Sequence, residues 1–191
     1  MCEKRLGGSA GFSLMELLVV VGVASVVMAT AVLMMPDTIR NARADGGMAL
    51  VVAELRRAKD LAVTQRRDME VRFVLPDEIQ IWRQEVPVQH NNQTRISTTR
   101  LENHIEFLLM PGLPDTPDGF GNGSAIEFDT APALFFRSEG MFTDANANLD
   151  PLNGTVFLGV RNQPLTARAV TVFGPTALIR GYRWTGAQWV E

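Results

Sequence analysis

The chain has 191 residues, of which 46% are apolar and 20% are charged, and its formal net charge is -3. This length suits one ordinary domain plus an anchoring segment, and the apolar content excludes wholesale disorder. The slight negative charge excludes a bulk electrostatic attraction to nucleic acid. Cys2 is the single cysteine, so the chain cannot form an internal disulfide.

A short polar segment precedes a long apolar run. Residues 1–11 are polar and include Lys4 and Arg5, whereas residues 12–35 are apolar except for Glu16 and a few small hydroxyl residues. A helix that crosses a bilayer needs about 20 apolar residues, and this run has that length. A secretory signal has a shorter apolar region followed by a small-residue cleavage site, and a buried core helix is a poor alternative at this length. The run therefore predicts a single transmembrane helix over residues 12–35.

An amphipathic helical extension is predicted over residues 36–68. Pro36 and Asp37 end the apolar run, and the helical pattern resumes beyond them. The Gly46-Gly47 pair is a weak point at which the helix is expected to bend or break. Four apolar residues recur at spacings that place them on one helix face. These residues are Val51, Leu55, Ala58 and Ala62.

The apolar pattern then changes from the period of a helix to that of a strand. Alternation runs from Met69 to Leu75, with these two residues on the apolar face and Glu70 on the polar face, and it continues over residues 78–85. Turn-forming residues separate the further strands, and a loop rich in proline and glycine is predicted over residues 110–124. The expected fold is α+β, with a long N-terminal helix packed on an all-β antiparallel domain of residues 69–191. The further predicted strands cover residues 94–100, 104–109, 124–129, 133–137, 154–161, 167–173, 177–184 and 187–190.

The junction between the polar segment and the apolar run carries a specific combination of residues. Gly11 is followed by Phe12, and Glu16 stands at the fifth position counted from Phe12. This combination, with its charged leader and apolar helix, resembles the cleavage and methylation motif of type IV prepilins. The resemblance implies that a membrane-embedded prepilin peptidase cuts between Gly11 and Phe12 and methylates the new amino terminus at Phe12. Residues 1–11 would then be a leader peptide that is removed.

Glu16 is expected to be an assembly residue. A charged side chain in a membrane helix costs about 2.5 to 3.5 kcal/mol at the bilayer centre, so an acid retained there is a functional candidate. We expect its partner to be the free α-amino group of Phe12 in a neighbouring subunit, because opposite charges neutralise each other in a low dielectric. The alternative is that Glu16 simply extends to the membrane interface.

The remainder of the chain resembles the GspH/FimT branch of the pseudopilins, with a pilin-like fold. The resemblance rests on the helix end ELRRAKDLAVTQRRDMEVRF, the turn FFRSEGMF, the strand GTVFLGV and the C-terminal stretch RGYRWTGAQWV. It implies a minor pseudopilin of the type II secretion system, a structural subunit near the tip of a periplasmic filament that supports protein export. The alternative is a FimT-like minor pilin of a type IV pilus, in pilus assembly, adhesion, motility or DNA uptake. A third possibility is a membrane-anchored binding module that needs no filament.

The resemblance also implies a location and partners. The chain would cross the bacterial inner membrane once, with Lys4 and Arg5 on the cytoplasmic side and the β-rich domain in the periplasm. The implied partners are the prepilin peptidase, other pilins or pseudopilins and the inner-membrane assembly platform. Some FimT-type proteins carry a G-R-x-R motif tied to DNA binding, but residues 177–180 keep only its final arginine. A nucleic-acid partner is therefore not expected.

Catalytic signals are absent from the sequence, and no enzyme is expected. His90 and His104 have no metal-ligand spacing, and there is no nucleophile elbow, phosphate loop or dinucleotide fingerprint. Residues 144–150 alternate oxygen-bearing side chains as calcium loops do, although Leu149 stands where such loops have glycine. The segment is either a polar insertion between strands or a calcium site. The calcium ligands would be Asp144, Asn146, Asn148 and Asp150.

Two tryptophans near the C-terminus allow two interpretations. Trp184 and Trp189, with Arg180 and Arg183, could form a stacking surface for single-stranded nucleic acid. They could equally belong to the closing strands of the core, with the arginines on the wet face. The core interpretation is favoured.

Overall fold

A computed structural model describes residues 13–87, 92–128, 133–144 and 150–191, with the backbone alone for residues 31–37. These residues form one long helix, eleven strands and a short 3-10 helix at Pro164–Thr166. Two compact units are present, one ending at Ile39 and the other comprising Arg40–Glu191. The helix and strands are α1 (Leu14–Gln65), β1 (Met69–Val74), β2 (Glu78–Gln84), β3 (Gln93–Arg100), β4 (Glu106–Phe107), β5 (Ile126–Glu127), β6 (Leu134–Phe136), β7 (Phe142–Thr143), β8 (Gly154–Gly159), β9 (Arg168–Phe173), β10 (Leu178–Trp184) and β11 (Trp189–Val190).

Helix α1 runs without a break through Pro36 and the Gly46-Gly47 pair, so the expected interruptions do not occur. A glycine inside a helix costs about 1 kcal/mol relative to alanine, a cost that tertiary packing readily offsets. That packing involves the predicted helix face, which is confirmed. Its four members, Val51, Leu55, Ala58 and Ala62, are each 0% exposed.

The strands form two antiparallel sheets. The first has the order β3-β2-β1-β6-β7, and the second has the order β11-β10-β9-β8-β4, with β5 also paired to β8. The main core joins residues of α1 from Ala44 onwards to residues of both sheets. The predicted α+β class is therefore confirmed for the described residues.

Several details of the strand prediction need correction. Leu75 was assigned to the apolar face of the first strand, but it is 62% exposed and follows the end of β1. Glu70 was assigned to the polar face, and yet it is only 4% exposed, because Arg72, Gln84 and Gln93 surround its carboxylate with donors. Strand β7 was not predicted, since two residues are too short for a periodic signal.

The loop that covers the second sheet is held by one carboxylate. Asp118 Oδ2 accepts hydrogen bonds from the hydroxyls of Thr171, at 2.6 Å, and Tyr182, at 3.0 Å. Asp118 Oδ1 accepts a hydrogen bond from Arg180 Nη1 at 2.7 Å. Near this anchor, a smaller apolar cluster lies on the same sheet. Its buried members are Met110, Phe157, Ala167, Ala169, Tyr182 and Trp189.

Candidate functional site

The start of α1 is the candidate site, and Ser13 caps it. The backbone N–H of Met15 donates to Ser13 Oγ at 3.3 Å, and that of Leu17 donates to the Ser13 carbonyl at 3.1 Å. A serine just before an apolar run is a recognisable N-cap signal, so this cap could have been predicted from the sequence. Gly11 and Phe12, the predicted cleavage and methylation positions, lie outside the described residues, so both assignments stay predictions.

Glu16 lies in the first turn of α1 and is exposed. It carries the one ionisable side chain between residues 13 and 30. A negative charge at this end of a helix is stabilised by the helix dipole, typically by 0.3 to 1 kcal/mol. Because the segment holds no other ionisable side chain, a cation that pairs with Glu16 must come from outside residues 13–30.

The helix around Glu16 presents apolar side chains to the outside. Leu14 is 81% exposed and Met28, four turns later, is 68% exposed. Scattered exposed apolar residues are normal on a protein surface, but a contiguous patch marks an interaction site. The exposed large apolar residues of this segment are Leu14, Met15, Leu17, Leu18, Val19, Val20, Val21, Val23, Val26, Val27 and Met28.

The hydroxyl groups of this segment are satisfied within the helix. Ser25 Oγ donates to the Val21 carbonyl at 2.7 Å, and Thr30 Oγ1 donates to the Val27 carbonyl at 2.9 Å. Such bonds allow serine and threonine to sit in surroundings that offer no other partner. Beyond the N-cap serine, Glu16 is left as the polar side chain of residues 13–30 whose role is unexplained.

Among the described residues, no helix meets the combined length and apolarity of a membrane span. Within the predicted span of residues 12–35, the structure does not describe Phe12 or the side chains of residues 31–35.

The described residues bring together no group of three or more His, Cys, Asp and Glu side chains that could hold a metal ion. Of the proposed calcium ligands, Asp144 and Asp150 are described, whereas Asn146 and Asn148 are not, so the calcium assignment stays a prediction. His90 likewise lies outside the described residues. His104 was expected to begin a strand, but it is an exposed turn residue with φ 63°.

The C-terminal tryptophans take different positions. Trp189 is 8% exposed, packs against Phe157 at a ring distance of 6.0 Å and donates from Nε1 to the Pro114 carbonyl. Trp184 is half-buried and packs on the Trp189 ring at 5.3 Å. Arg180 is engaged with Asp118. This arrangement is that of a closing core strand, and a stacking surface has no room at Trp189.

Comparison with known proteins identifies no family. No protein-family model matches the chain, and no curated protein matches it. Among solved structures, the chain is similar to the minor pseudopilin EpsH from the type 2 secretion system of Vibrio cholerae, with 14% sequence identity and a TM-score of 0.47. The similarity covers 76% of this chain and 99% of that chain. A likeness at this level does not assign the chain to a family.

Proposed function

We propose that this chain is a structural subunit of a pilus-like filament, a minor pseudopilin of a type II secretion system anchored by the first part of α1. The observation that carries the proposal is the exposed apolar surface of Leu14 to Met28, with Glu16 at its start. The prepilin-like residues Gly11 and Phe12 immediately before this surface support it.

The exposed apolar surface is too large to be left in water. Burying one fully exposed Val, Leu or Met side chain contributes about 1.5 to 3 kcal/mol, so these eleven residues, which are 56% to 81% exposed, represent roughly 10 to 20 kcal/mol. That amount reaches the whole folding free energy of a typical domain, roughly 5 to 15 kcal/mol. Lipid in the free subunit, and neighbouring helices in a filament, would each cover this surface.

Glu16 would direct the move from lipid to filament. Cleavage after Gly11 creates a cationic amino group at Phe12, and methylation of that amine leaves its positive charge in place. An ion pair between this amine and Glu16 of a neighbouring subunit would cancel two charges that are each costly in lipid. The pair would also set the axial register between adjacent helices.

The proposed topology follows from the prepilin resemblance, because Lys4 and Arg5 before the apolar run are matched in number by Arg40 and Arg43 after it. Lys4 and Arg5 would stay on the cytoplasmic side, and Arg40–Glu191 would lie in the periplasm. The partners would be the prepilin peptidase, other pseudopilins and the inner-membrane assembly platform.

The test is Glu16→Gln, which keeps the size and polarity of the side chain and removes its charge. The variant should insert in the membrane and be cleaved after Gly11, but be absent from sheared or purified filaments. Glu102→Gln is the matched control, because Glu102 is an exposed acid of the β-rich unit and its loss changes the net charge equally. It should enter filaments like the parent chain. Incorporation of the Glu16→Gln subunit at the parent's level would disprove the ion-pair mechanism.

A further inference from the structure

Strand β3 is a long open edge. It ends the first sheet and has eight residues, whereas the other strands at the ends of the two sheet orders, β4, β7 and β11, have two residues each. Within the described ranges no strand pairs with its outer side, and none of its residues is buried. Proteins usually shorten, cover or bend such edges, because an open edge is a template for another strand.

The hydrogen-bond pattern shows which backbone groups β3 presents outwards. Leu101 N–H donates to the Asp77 carbonyl at 2.8 Å, and Glu85 N–H donates to the Asn92 carbonyl at 2.9 Å. In an antiparallel pair, residues bonded to the neighbouring strand alternate with residues that are not. Starting from Leu101 and from Asn92, which bond to the two residues that flank β2, every second residue inwards along the register bonds to β2. The residues between them direct their N–H and C=O groups away from β2. These residues are Gln93, Arg95, Thr98 and Arg100.

A bulge places both arginines of β3 on one face. The register shifts between Ile81 and Trp82 of β2, so Arg95 lies opposite Trp82 and Arg100 lies opposite Glu78. Two residues five apart in a regular strand point to opposite faces. Because Trp82 and Glu78 are four apart, their partners share a face. The bulge thus aligns two cations along the open edge, which is how bulges commonly re-aim side chains.

The positive charge of the β3 edge favours an acidic partner. Strand β3 contains Arg95 and Arg100 and no acidic residue. Arg95 is exposed, with its Cζ 5.7 Å from the Trp82 ring, and Arg100 keeps 71% of its side chain exposed despite its ion pair with Glu78. Pairing two copies of β3 would gather four arginines in one ribbon, and like charges in cross-strand positions are destabilising.

We propose that β3 binds an extended acidic segment of a partner protein by strand addition. The partner strand would run along the outward groups of Arg95, Thr98 and Arg100. It would place one carboxylate beside each arginine. The two carboxylates would be four residues apart, the same separation as that of Trp82 and Glu78, which lie opposite Arg95 and Arg100 on β2. Backbone hydrogen bonds would supply the binding energy, and the two ion pairs would supply the register. This proposal stands independently of the filament assignment.

The experiment uses the full chain in detergent micelles and measures amide hydrogen exchange by NMR. The probe is an acetylated synthetic peptide, Thr-Glu-Thr-Val-Thr-Glu-Thr-Val, and its control has lysine at both glutamate positions. The acidic peptide should protect the amides of Arg95, Thr98 and Arg100 while leaving Ser97 and Thr99, already bonded to β2, unchanged. The lysine peptide should bind at least about tenfold more weakly, a factor that corresponds to 1.4 kcal/mol.

Three variants separate the contributions. Thr98→Pro removes one outward N–H and no β2–β3 hydrogen bond, so it should abolish binding without melting the sheet. Thr98→Val keeps the N–H and should bind like the parent, while Arg95→Gln should weaken the acidic peptide alone. Equal binding of the two peptides, protection by oligothymidylate at lower concentration, or protection that rises with protein concentration alone would each overturn the proposal. Equal peptide binding would mean that the edge does not select for charge, and protection by oligothymidylate would mean that it binds nucleic acid. Protection that rises with protein concentration would mean that it pairs with a second copy of the chain.

Discussion

Arg168 of β9 donates its Nε hydrogen to Oδ1 of Asp45 on α1 at 2.7 Å. The arginine side chain is 0% exposed, whereas that of Asp45 is 41% exposed. The same guanidinium donates to the carbonyls of Leu165, Ala167 and Asn41. A buried cation thus ties the helix to the second sheet within the unit Arg40–Glu191.

This pair predicts strong coupling in a double-mutant cycle. Asp45→Asn should destabilise the chain by about 1 to 3 kcal/mol, because it leaves a buried guanidinium without its carboxylate and the site is partly open to water. In an Arg168→Met background the same substitution should cost almost nothing. Denaturation followed by tryptophan fluorescence measures both, since Trp82, Trp184 and Trp189 all lie in this unit. Equal costs in the two backgrounds would show that the pair is not coupled.

The two adjacent glycines of α1 should respond in opposite directions to alanine. Around Gly46 an added Cβ meets nothing within 4 Å, so Gly46→Ala should stabilise the helix by about 0.5 to 1 kcal/mol. At Gly47 the Cβ would lie 3.1 Å from Ile105 Cγ2 and 3.5 Å from Leu158 Cδ1. Gly47→Ala should therefore lose that gain and destabilise by about 1 kcal/mol through overpacking. Melting temperatures that move in the same direction would refute this packing difference.

Tyr182 should titrate at unusually high pH. Burial raises the pKa of its phenol above the ordinary value, and the hydrogen bond to Asp118 raises the pKa further, while Arg180 lowers it. Because Tyr182 is the single tyrosine of the chain, ultraviolet absorbance reports its ionisation directly. The native midpoint should lie above that of the urea-unfolded chain, and Arg180→Ala should raise it further. A native midpoint at or below the unfolded one would contradict the burial of this phenol.

The same shift fixes the sign of a pH effect on stability. The folded state binds the phenolic proton more tightly than the unfolded state, so the stabilisation is complete below the unfolded pKa, about 10. It is lost as the pH rises through the higher folded pKa. Tyr182→Phe should remove this loss of stability at alkaline pH. It should also weaken the anchor of the loop, because the hydrogen bond to Asp118 is lost. Denaturation midpoints measured across this pH range test both effects.

Periodicity predicted the parts of the fold that depend on one buried face. The spacing of Val51, Leu55, Ala58 and Ala62 could be read directly, because a helix buries residues three and four apart. Most strands could be located from the turn-forming residues that separate them. The buried acid Glu70 and the buried Arg168 could not be predicted, since their burial depends on donors and acceptors distant in sequence. The bulge that aligns Arg95 and Arg100 also leaves no periodic signal.

The candidate site divides along similar lines. Glu16 could be proposed from the sequence because one acid in an apolar run is visible without a structure, and its assembly role stays a prediction. The self-satisfied hydroxyls of Ser25 and Thr30 needed the helix geometry. Continuity of α1 through Gly46-Gly47 was missed, since these glycines were weighed without the tertiary packing of α1 from Ala44 onwards. Nothing in the described contacts explains the continuity through Pro36.

Mass analysis of the amino terminus tests the proposed function most directly. The chain should be expressed with a prepilin peptidase, together with Gly11→Val, in which a side chain would obstruct the close approach of the backbone to the peptidase. The parent should lose residues 1–11 and begin at N-methylated Phe12, while the variant should remain uncut. An intact parent chain, or a Gly11→Val chain that begins normally at methylated Phe12, would contradict the account of this protein as a processed, membrane-anchored pseudopilin.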